Sequence, residues 1–483
     1  MAVLALDIGT SSARAVVFDQ SGHRLGPEGQ TRYQVQTTAA GGAQLSASQI
    51  RDGLFAAIDQ ALHGVDAAVE AVGISCFWHS FLALSAAGAP RSAVYTWEDR
   101  TFVAALPALT AALDADAYQQ RTGCHLHPSY PPAKVAGFVA AGQRVEMVGS
   151  FSAYLVGQLF GQVQEGISMA SASGFFDRTR RQWDTRTLVA VGVPAGAMPT
   201  IGEGWVGQRL RPALARRWPK LAAAKWLFPI GDGAAASLSS AGRSDTAVLS
   251  LGTSGGLRRL TDQPPAQIPQ PLFCYLLDSE RSVLGGALSG GGNVLAWLHQ
   301  VTELADWAEV AGLLNRRPVG QGGVMAWPHL AGMRSPNWEW DASGVLVGLS
   351  LATKPADLMA AMVEAICCDF RTIFQALQSV LPANRVEASG GALLAVRQWP
   401  QWLADALEVP VSVPKEAEGS AWGAAKMAFS ALGQVARLSV GPSRRYTPKP
   451  QGQARFERLQ ATRLEVSGHL SAIWDVLAKE RLP

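Results

Sequence analysis

The 483-residue sequence is poor in charge and in cysteine. Asp, Glu, Lys and Arg together make up 16% of it, and the cysteines are only five: Cys76, Cys124, Cys274, Cys367 and Cys368. Their number is odd and neither a zinc spacing nor a disulfide framework appears, which favours reduced, mostly buried thiols. Long hydrophobic runs are also missing: charges, Gly or Pro interrupt every one before it could cross a bilayer. The chain opens directly in a strand pattern, without the basic stretch and apolar core of a secretory leader. The expectation is a soluble cytoplasmic protein with no membrane partner. Nor is there a basic block: the net charge is +3, which argues against a nucleic-acid partner. What is abundant is apolar, 48% of residues, enough for two or three domains with large cores.

The stretch Leu4–Asp19, LALDIGTSSARAVVFD, reads as two strands joined by a tight turn. The turn Gly9-Thr10-Ser11-Ser12 combines a glycine, which lets backbone N–H groups approach an anion, with hydroxyl donors. Asp7 ends the incoming strand, where a carboxylate could hold Mg²⁺ directly or through water. Many hairpins end in Gly-Thr-Ser and bind nothing, but this one recurs. Ala247–Leu257, AVLSLGTSGGL, again runs apolar strand, Gly-Thr-Ser, strand. Two such hairpins half a chain apart imply two similar α/β domains facing each other, able to grip a polyphosphate from both sides.

Between the hairpins lie residues with two readings each. His79, in Cys76-Phe77-Trp78-His79-Ser80 between two apolar strands, is either structural or a hydrogen-bonding group for a hydroxylated ligand. Tyr95–Arg100 crowds aromatics, acids and a cation, as a sugar pocket or a solvated helix start would. Thr122–Lys134, with three prolines, reads as an ordered loop or stiff connector. Leu227–Ile230 reads as a buried strand leading into Gly231-Asp232-Gly233 and a helix, Ala234–Ala241. Asp232 is then either a general base for a hydroxyl or a helix cap, and the local pattern does not separate the two. Farther on, Lys354–Leu381 is a long helix with an apolar stripe. Val386–Gly391 is a strand ending in Gly-Gly, where a flat base could lie on the backbone. Gly419–Leu432 is a small-residue helix suited to close packing. From about residue 433 the chain is basic and less patterned until a final helix near Leu464–Leu477.

Taken in order, DIGTSSARAVVFD, GISCFWHSF, TWEDR, HPSYPPAK, ISMASASGFFD, GDGAAAS, LSLGTSGG, RSPNWEWDASGVLVGL, ASGGALL and EGSAWGAA make the sequence resemble the FGGY family of carbohydrate kinases from residue 2 to about 432. The wording is nearest to gluconate kinases, through CFWHS, HPSY and SMAS, and next to xylulose kinases. The resemblance implies an α/β fold of two actin-like (ribonuclease H-like) ATPase domains, residues 1–243 and 244–483, with an interdomain cleft that closes on ATP, Mg²⁺ and a small sugar or sugar acid. It implies Asp232 as catalytic base and Asp7 near the metal. Gly9, Thr10, Ser11, Ser12 and Arg14 would form a first phosphate loop, and Gly252, Thr253 and Ser254 a second. Gly292, Gly390 and Gly391 would flank the adenosine, and Trp78, His79 and Asp99 would line the sugar pocket with Asp232. Ala296 and Ala395 stand where glycerol kinases use polar groups on the nucleotide, and Gly137 where the family signature has Trp. Gluconate would need a cation for its carboxylate, for which Lys134 and Arg100 are the candidates. A homodimer would follow from family analogy alone. Two other classes fit the same fold: a non-catalytic sugar sensor, which would have lost Asp232, and an actin-like assembly ATPase, which would hydrolyse ATP without sugar.

Overall fold

A nearly continuous apolar run, broken by Asp7, buries every residue of β1 (Ala2–Ile8), and most of β2 (Ser12–Asp19) is buried too. The two pair antiparallel, with Asp7 opposite Arg14. The computed structural model describes all residues except 39–40, 241–244, 303–311, 313, 315–317, 415–418, 437–442 and 482–483, and side chains as far as 477. Strand β3 (Gly29–Arg32) pairs with β2 antiparallel. Helix α1 (Ala47–Leu62) is capped by Ser46, whose side chain accepts from the Gln49 N–H, and it buries Ile50, Leu54, Ala57, Ile58 and Ala61. Burying each of the larger of these side chains contributes about 1.5–3 kcal/mol. Strand β4 (Val69–Cys76) lies parallel to β1 on the other side. Two short strands, β5 (Lys225–Trp226) and β6 (Ile230–Gly231), pair with β4 and complete a six-stranded sheet. The single strand expected at Leu227–Ile230 is thus split into two that bracket Leu227–Pro229; Pro229 has no N–H to give a ladder.

Helix α2 (Asp232–Ser239) leaves β6; its expected end at Ala241 and the domain division at 243/244 fall outside the described residues. The second sheet repeats the first. Antiparallel β7 (Thr246–Leu251) and β8 (Gly255–Thr261) are followed by β9 (Phe273–Leu276) and β10 (Ser282–Leu288). After α3 (Gly292–Val301) and α4 (Pro355–Gln378), β11 (Arg385–Ser389) returns parallel to β7. Helices α5 (Gly391–Ala395) and α6 (Trp399–Leu407) lead to β12 (Val411–Pro414). The seven-stranded order is β9-β10-β8-β7-β11-β12-β13, with β13 at Ser443–Tyr446.

Three findings differ from expectation. The segment Thr122–Lys134 is not all loop: a helix runs Pro131–Ala140 and includes Lys134. Proline is tolerated in the first turn, where N–H groups have no helical partner. The tail is folded from β13 onward, and helix α8 (Pro450–Arg481) starts well before residue 464. Helix α7 (Gly419–Ala431) belongs in sequence to the second half yet packs on the first. Its Ala421, Trp422, Ala424, Ala425, Ala428 and Phe429 share a core with Val3, Ala5, Val16, Phe18 and Ala71. The approach is backbone to backbone: a Cβ at Gly423 would sit 1.7 Å from the Ala235 carbonyl, and one at Gly73 2.1 Å from that of Ala424. The five cysteines are all free and buried. Among the described residues no helix is long and apolar enough to cross a membrane.

Candidate active site

The parallel strands bring two carboxylates to one end of the first sheet. Asp7 pairs with Ser75 of β4, and Gly231 of β6 pairs with Cys76, so Asp7 and Asp232 emerge on either side of β4. Asp7 is buried; its two oxygens accept from Arg14 Nη2 at 2.6 Å and Ser75 Oγ at 3.0 Å. Asp232 is not the helix cap. Gly231 takes that position, and Asp232 is the first helical residue, accepting from the Gly233 N–H at 2.7 Å. Burial pushes its carboxyl above the usual range, while Arg258 and the Gly233 N–H pull against burial. Trp78 lies flat along the turn: a Cβ at Gly231 would fall 1.7 Å from the indole, so only glycine fits there.

In each hairpin the turn glycine's N–H closes the turn, over three residues in the first and two in the second. The Gly9 N–H donates to the Ser12 carbonyl at 2.9 Å and the Gly252 N–H to that of Ser254 at 3.0 Å. Thr10, Ser11, Ser12, Thr253 and Ser254 make no side-chain hydrogen bond among the described residues, so their hydroxyls remain available to a phosphate. Beside the second turn opens a cleft of about 760 Å³ lined by Gly252, Thr253, Gly292, Asn293, Ala296, His299, Gly391 and Ala395. Helix α3 begins here, the Gly292 and Asn293 N–H groups donating to the Gly252 and Thr253 carbonyls. Gly390 precedes α5 at φ +118, with Leu251 backbone where a Cβ would be. Ala296 and Ala395 add apolar wall beside Thr253, Asn293 and His299.

A second group of residues surrounds Trp78 and His79. His79 sits at φ 61, in the left-handed region, a conformation that concentrates at functional sites. Burial, together with Arg334, Lys134 and Arg258, lowers its pKa to about 3. The ring is therefore neutral: Nδ1–H donates to the Ala172 carbonyl at 2.8 Å, leaving Nε2 as an acceptor. Tyr130 and Tyr275 join by their hydroxyls at 2.6 Å and pack against the His79 ring. Arg334 lies 4.1 Å over the Trp97 ring and donates Nη2 to the Leu288 carbonyl. Burial lowers its pKa to about 10, yet it forms no ion pair among the described residues. Trp78 Nε1, Arg258 Nε and Arg334 Nε are buried without a hydrogen-bond partner among the described residues. Of the TWEDR stretch, Trp97 and Glu98 face Arg334. Asp99 is spent on backbone, accepting from the N–H groups of Thr101 in its own loop at 3.0 Å and of Ala43 on a neighbouring strand at 2.7 Å. Lys134 is buried and donates to the Pro128 carbonyl, its pKa lowered by burial to about 7 against the charge of Asp99.

Tyr130, Tyr275, Arg258 and Arg334 were not singled out from sequence. All but Tyr130 come from the second half of the chain, so the site spans both lobes. Among the described residues no three His, Cys, Asp or Glu side chains group as a metal centre, and the donor set at the phosphate turns is Asp7 with hydroxyls. That set suits Mg²⁺, which takes one or two carboxylates with phosphate oxygens and water.

Residues 2–216 match the N-terminal domain, and residues 247–432 the C-terminal domain, of the FGGY family of carbohydrate kinases. The chain belongs to that family. It is therefore an ATP-dependent sugar kinase. A gluconokinase of Bacillus licheniformis is 26% identical over 96% of this chain and 95% of its own length. Two solved structures from Lactobacillus acidophilus, a gluconate kinase and a ligand-bound xylulose kinase, each superpose with a TM-score of 0.87 at 23% identity, over 99% of both chains. The FGGY fold, two actin-like α/β lobes, is thereby shared across the whole length.

Proposed function

We propose that this FGGY kinase phosphorylates gluconate, giving 6-phosphogluconate. The observation that carries the reading is Arg334: a buried guanidinium with no carboxylate in salt-bridge range among the described residues, Glu98 acting on it only at longer range, stacked on Trp97 beside His79. A buried cation is stable only when paired, and the substrate's own carboxylate would supply the partner. The gluconokinase similarity supports the same choice. Lys134 is a poorer candidate, since its amine already donates to the Pro128 carbonyl.

In this reading Asp232 accepts the proton of the substrate's terminal hydroxyl as that oxygen bonds to the γ-phosphorus and ADP departs. Gly9–Ser12 with Arg14, and Gly252–Ser254, hold the phosphates; Gly292, Gly390 and Gly391 flank the adenosine. His79 Nε2 accepts from a substrate hydroxyl, and Trp78 offers its face and its N–H. Asp99 acts at one remove by fixing the loop that carries Trp97. Asp7 would hold Mg²⁺, which when bound neutralises charge on the phosphate oxygens. Such transfer needs positioning and charge neutralisation more than covalent chemistry.

A coupled ATP assay with gluconate, xylulose, ribulose and glycerol tests the substrate. Gluconate should give the highest kcat/KM; a preference for xylulose or another pentulose would replace the sugar acid by a neutral ketose. Asp232→Asn should keep ATP binding and lose about 10²–10⁴-fold in turnover. Near-normal turnover would remove Asp232 from the mechanism.

A further inference from the structure

Arg258 stands in the middle of β8, where strand alternation alone would leave it without a special role. Its side chain runs through a slot made by glycines of both lobes. A Cβ added at Gly233 would lie 2.8 Å from its Nε, one at Gly256 2.2 Å from its Nη2, and one at Gly285 3.0 Å from its Cγ. Nη1 donates to Ser250 Oγ at 3.0 Å. Ser250 is the penultimate residue of β7, just ahead of the Gly252-Thr253-Ser254 turn. At its other side the guanidinium acts on the carboxylate of Asp232. No ion pair closes between them among the described residues, and Nε is buried without a partner. The cation is thus fixed between the proposed base on one lobe and the second phosphate turn on the other. That is the line along which a phosphoryl group would pass.

We infer that Arg258 is a catalytic residue contributed by the second lobe, whose guanidinium contacts the phosphoryl group in flight between ATP and the substrate hydroxyl. The chemistry is that of a fixed cation. As the bond from the γ-phosphorus to the bridging oxygen of ADP breaks and the bond to the substrate oxygen forms, charge on the three equatorial oxygens is met by N–H groups already in place. Arg258 takes no proton in this step; the proton goes to Asp232. The planar fork allows Nη1 to stay on Ser250 while Nε and Nη2 serve the phosphoryl oxygens, which a lysine could not do. The slot explains the local sequence: glycine at 233, 256 and 285 makes room for one arginine. The inference rests on Asp232 being the base, as proposed above.

The test is steady-state kinetics on the full chain with Arg258→Met, Arg258→Gln and Arg258→Lys, alongside Asp232→Asn. The first two should lower kcat by about 10²–10³-fold with KM for ATP and for gluconate within about threefold. Arg258→Lys should recover at least about tenfold of that loss. ADP with aluminium fluoride and gluconate should bind the Met variant much more weakly than wild type, while ADP alone binds equally. A kcat within threefold of wild type in Met or Gln, or a loss confined to KM, overturns the inference. If Met and Gln variants melt below the assay temperature, the Lys variant decides: a fall in kcat of about tenfold with unchanged KM supports the role, and no change overturns it. Full activity in Asp232→Asn would instead overturn the base, whatever the Arg258 variants show.

Discussion

Replacing Arg334 by Met removes the charge and keeps an unbranched apolar stem over Trp97. The size of the effect follows from the surroundings. The guanidinium is 7% exposed and has no acidic partner in salt-bridge range among the described residues, so a bound carboxylate would be its counter-charge. Losing one member of a buried, hydrogen-bonded charge pair costs about 2–5 kcal/mol. At about 1.4 kcal/mol per factor of ten, that is roughly 30-fold to several thousand-fold in kcat/KM. Arg334 keeps one hydrogen bond to Leu288 whatever is bound, and Glu98 lies within electrostatic reach. Both place the expected loss toward the lower part of the range, about 10²-fold for gluconate. An uncharged polyol has nothing to lose, and its kcat/KM should stay within about threefold. The assay is the coupled ATP measurement with gluconate and xylulose on wild type and Arg334→Met, with a melting curve for each. Equal losses for both substrates in a variant that melts normally would refute the pairing of Arg334 with a carboxylate.

Further outcomes follow from the same geometry. Glu165 is buried, and burial raises its pKa to about 7 while the Ser150 and Ser152 hydroxyls oppose the rise. Between pH 4.5 and 7 the folded chain holds a proton that the unfolded chain has lost. Stability from this group is present below 4.5 and declines as pH rises through 7, by up to about 3 kcal/mol. Urea unfolding of Glu165→Gln should lack that decline; a pH profile parallel to wild type would assign it elsewhere. Gly423→Ala places a methyl 1.7 Å from the Ala235 carbonyl and should destabilise by about 1–3 kcal/mol in thermal unfolding, with an unchanged melting point contradicting the backbone contact. Ala395→Phe should fill the cleft beside Gly252 and raise KM for ATP by about tenfold while KM for gluconate stays unchanged; a matching rise in both would mean that the cleft is not where the purine lies.

The features legible in the sequence are those whose cause is local. Both hairpins follow from short-range alternation around a glycine turn, and the long helix at Lys354–Leu381 differs from the observed Pro355–Gln378 by only a few residues at its ends. The strand-to-helix turn at Asp232 was legible too, but not that Gly231 takes the cap position and leaves the Asp232 carboxylate near Arg258, which arrives from another lobe. Arg334 and Tyr275 were missed for the same reason: each is an ordinary residue in its own segment and acquires meaning only beside His79. Arg258 left one usable trace, a cation within a strand whose start and whose neighbouring strand are rich in glycine. The early start of helix α8, at Pro450 and not near Leu464, escaped because its buried stripe contains polar groups. Phe456, Leu470 and Trp474 share it with Gln460, which donates to Thr372 at 2.7 Å, and Arg463, which pairs with Asp369 at 3.1 Å. A stripe of that kind hides from any reading based on hydrophobic period.

The placement of α7 bears on synthesis as well as on structure. The first lobe leaves the ribosome early, with Val3, Ala5, Val16 and Phe18 facing a groove whose occupant is still untranslated. Until residue 431 has emerged, that groove is an open apolar surface on a nascent chain. A gene cut between the hairpins should therefore yield a first fragment that is sticky alone and is rescued by co-expression of the second.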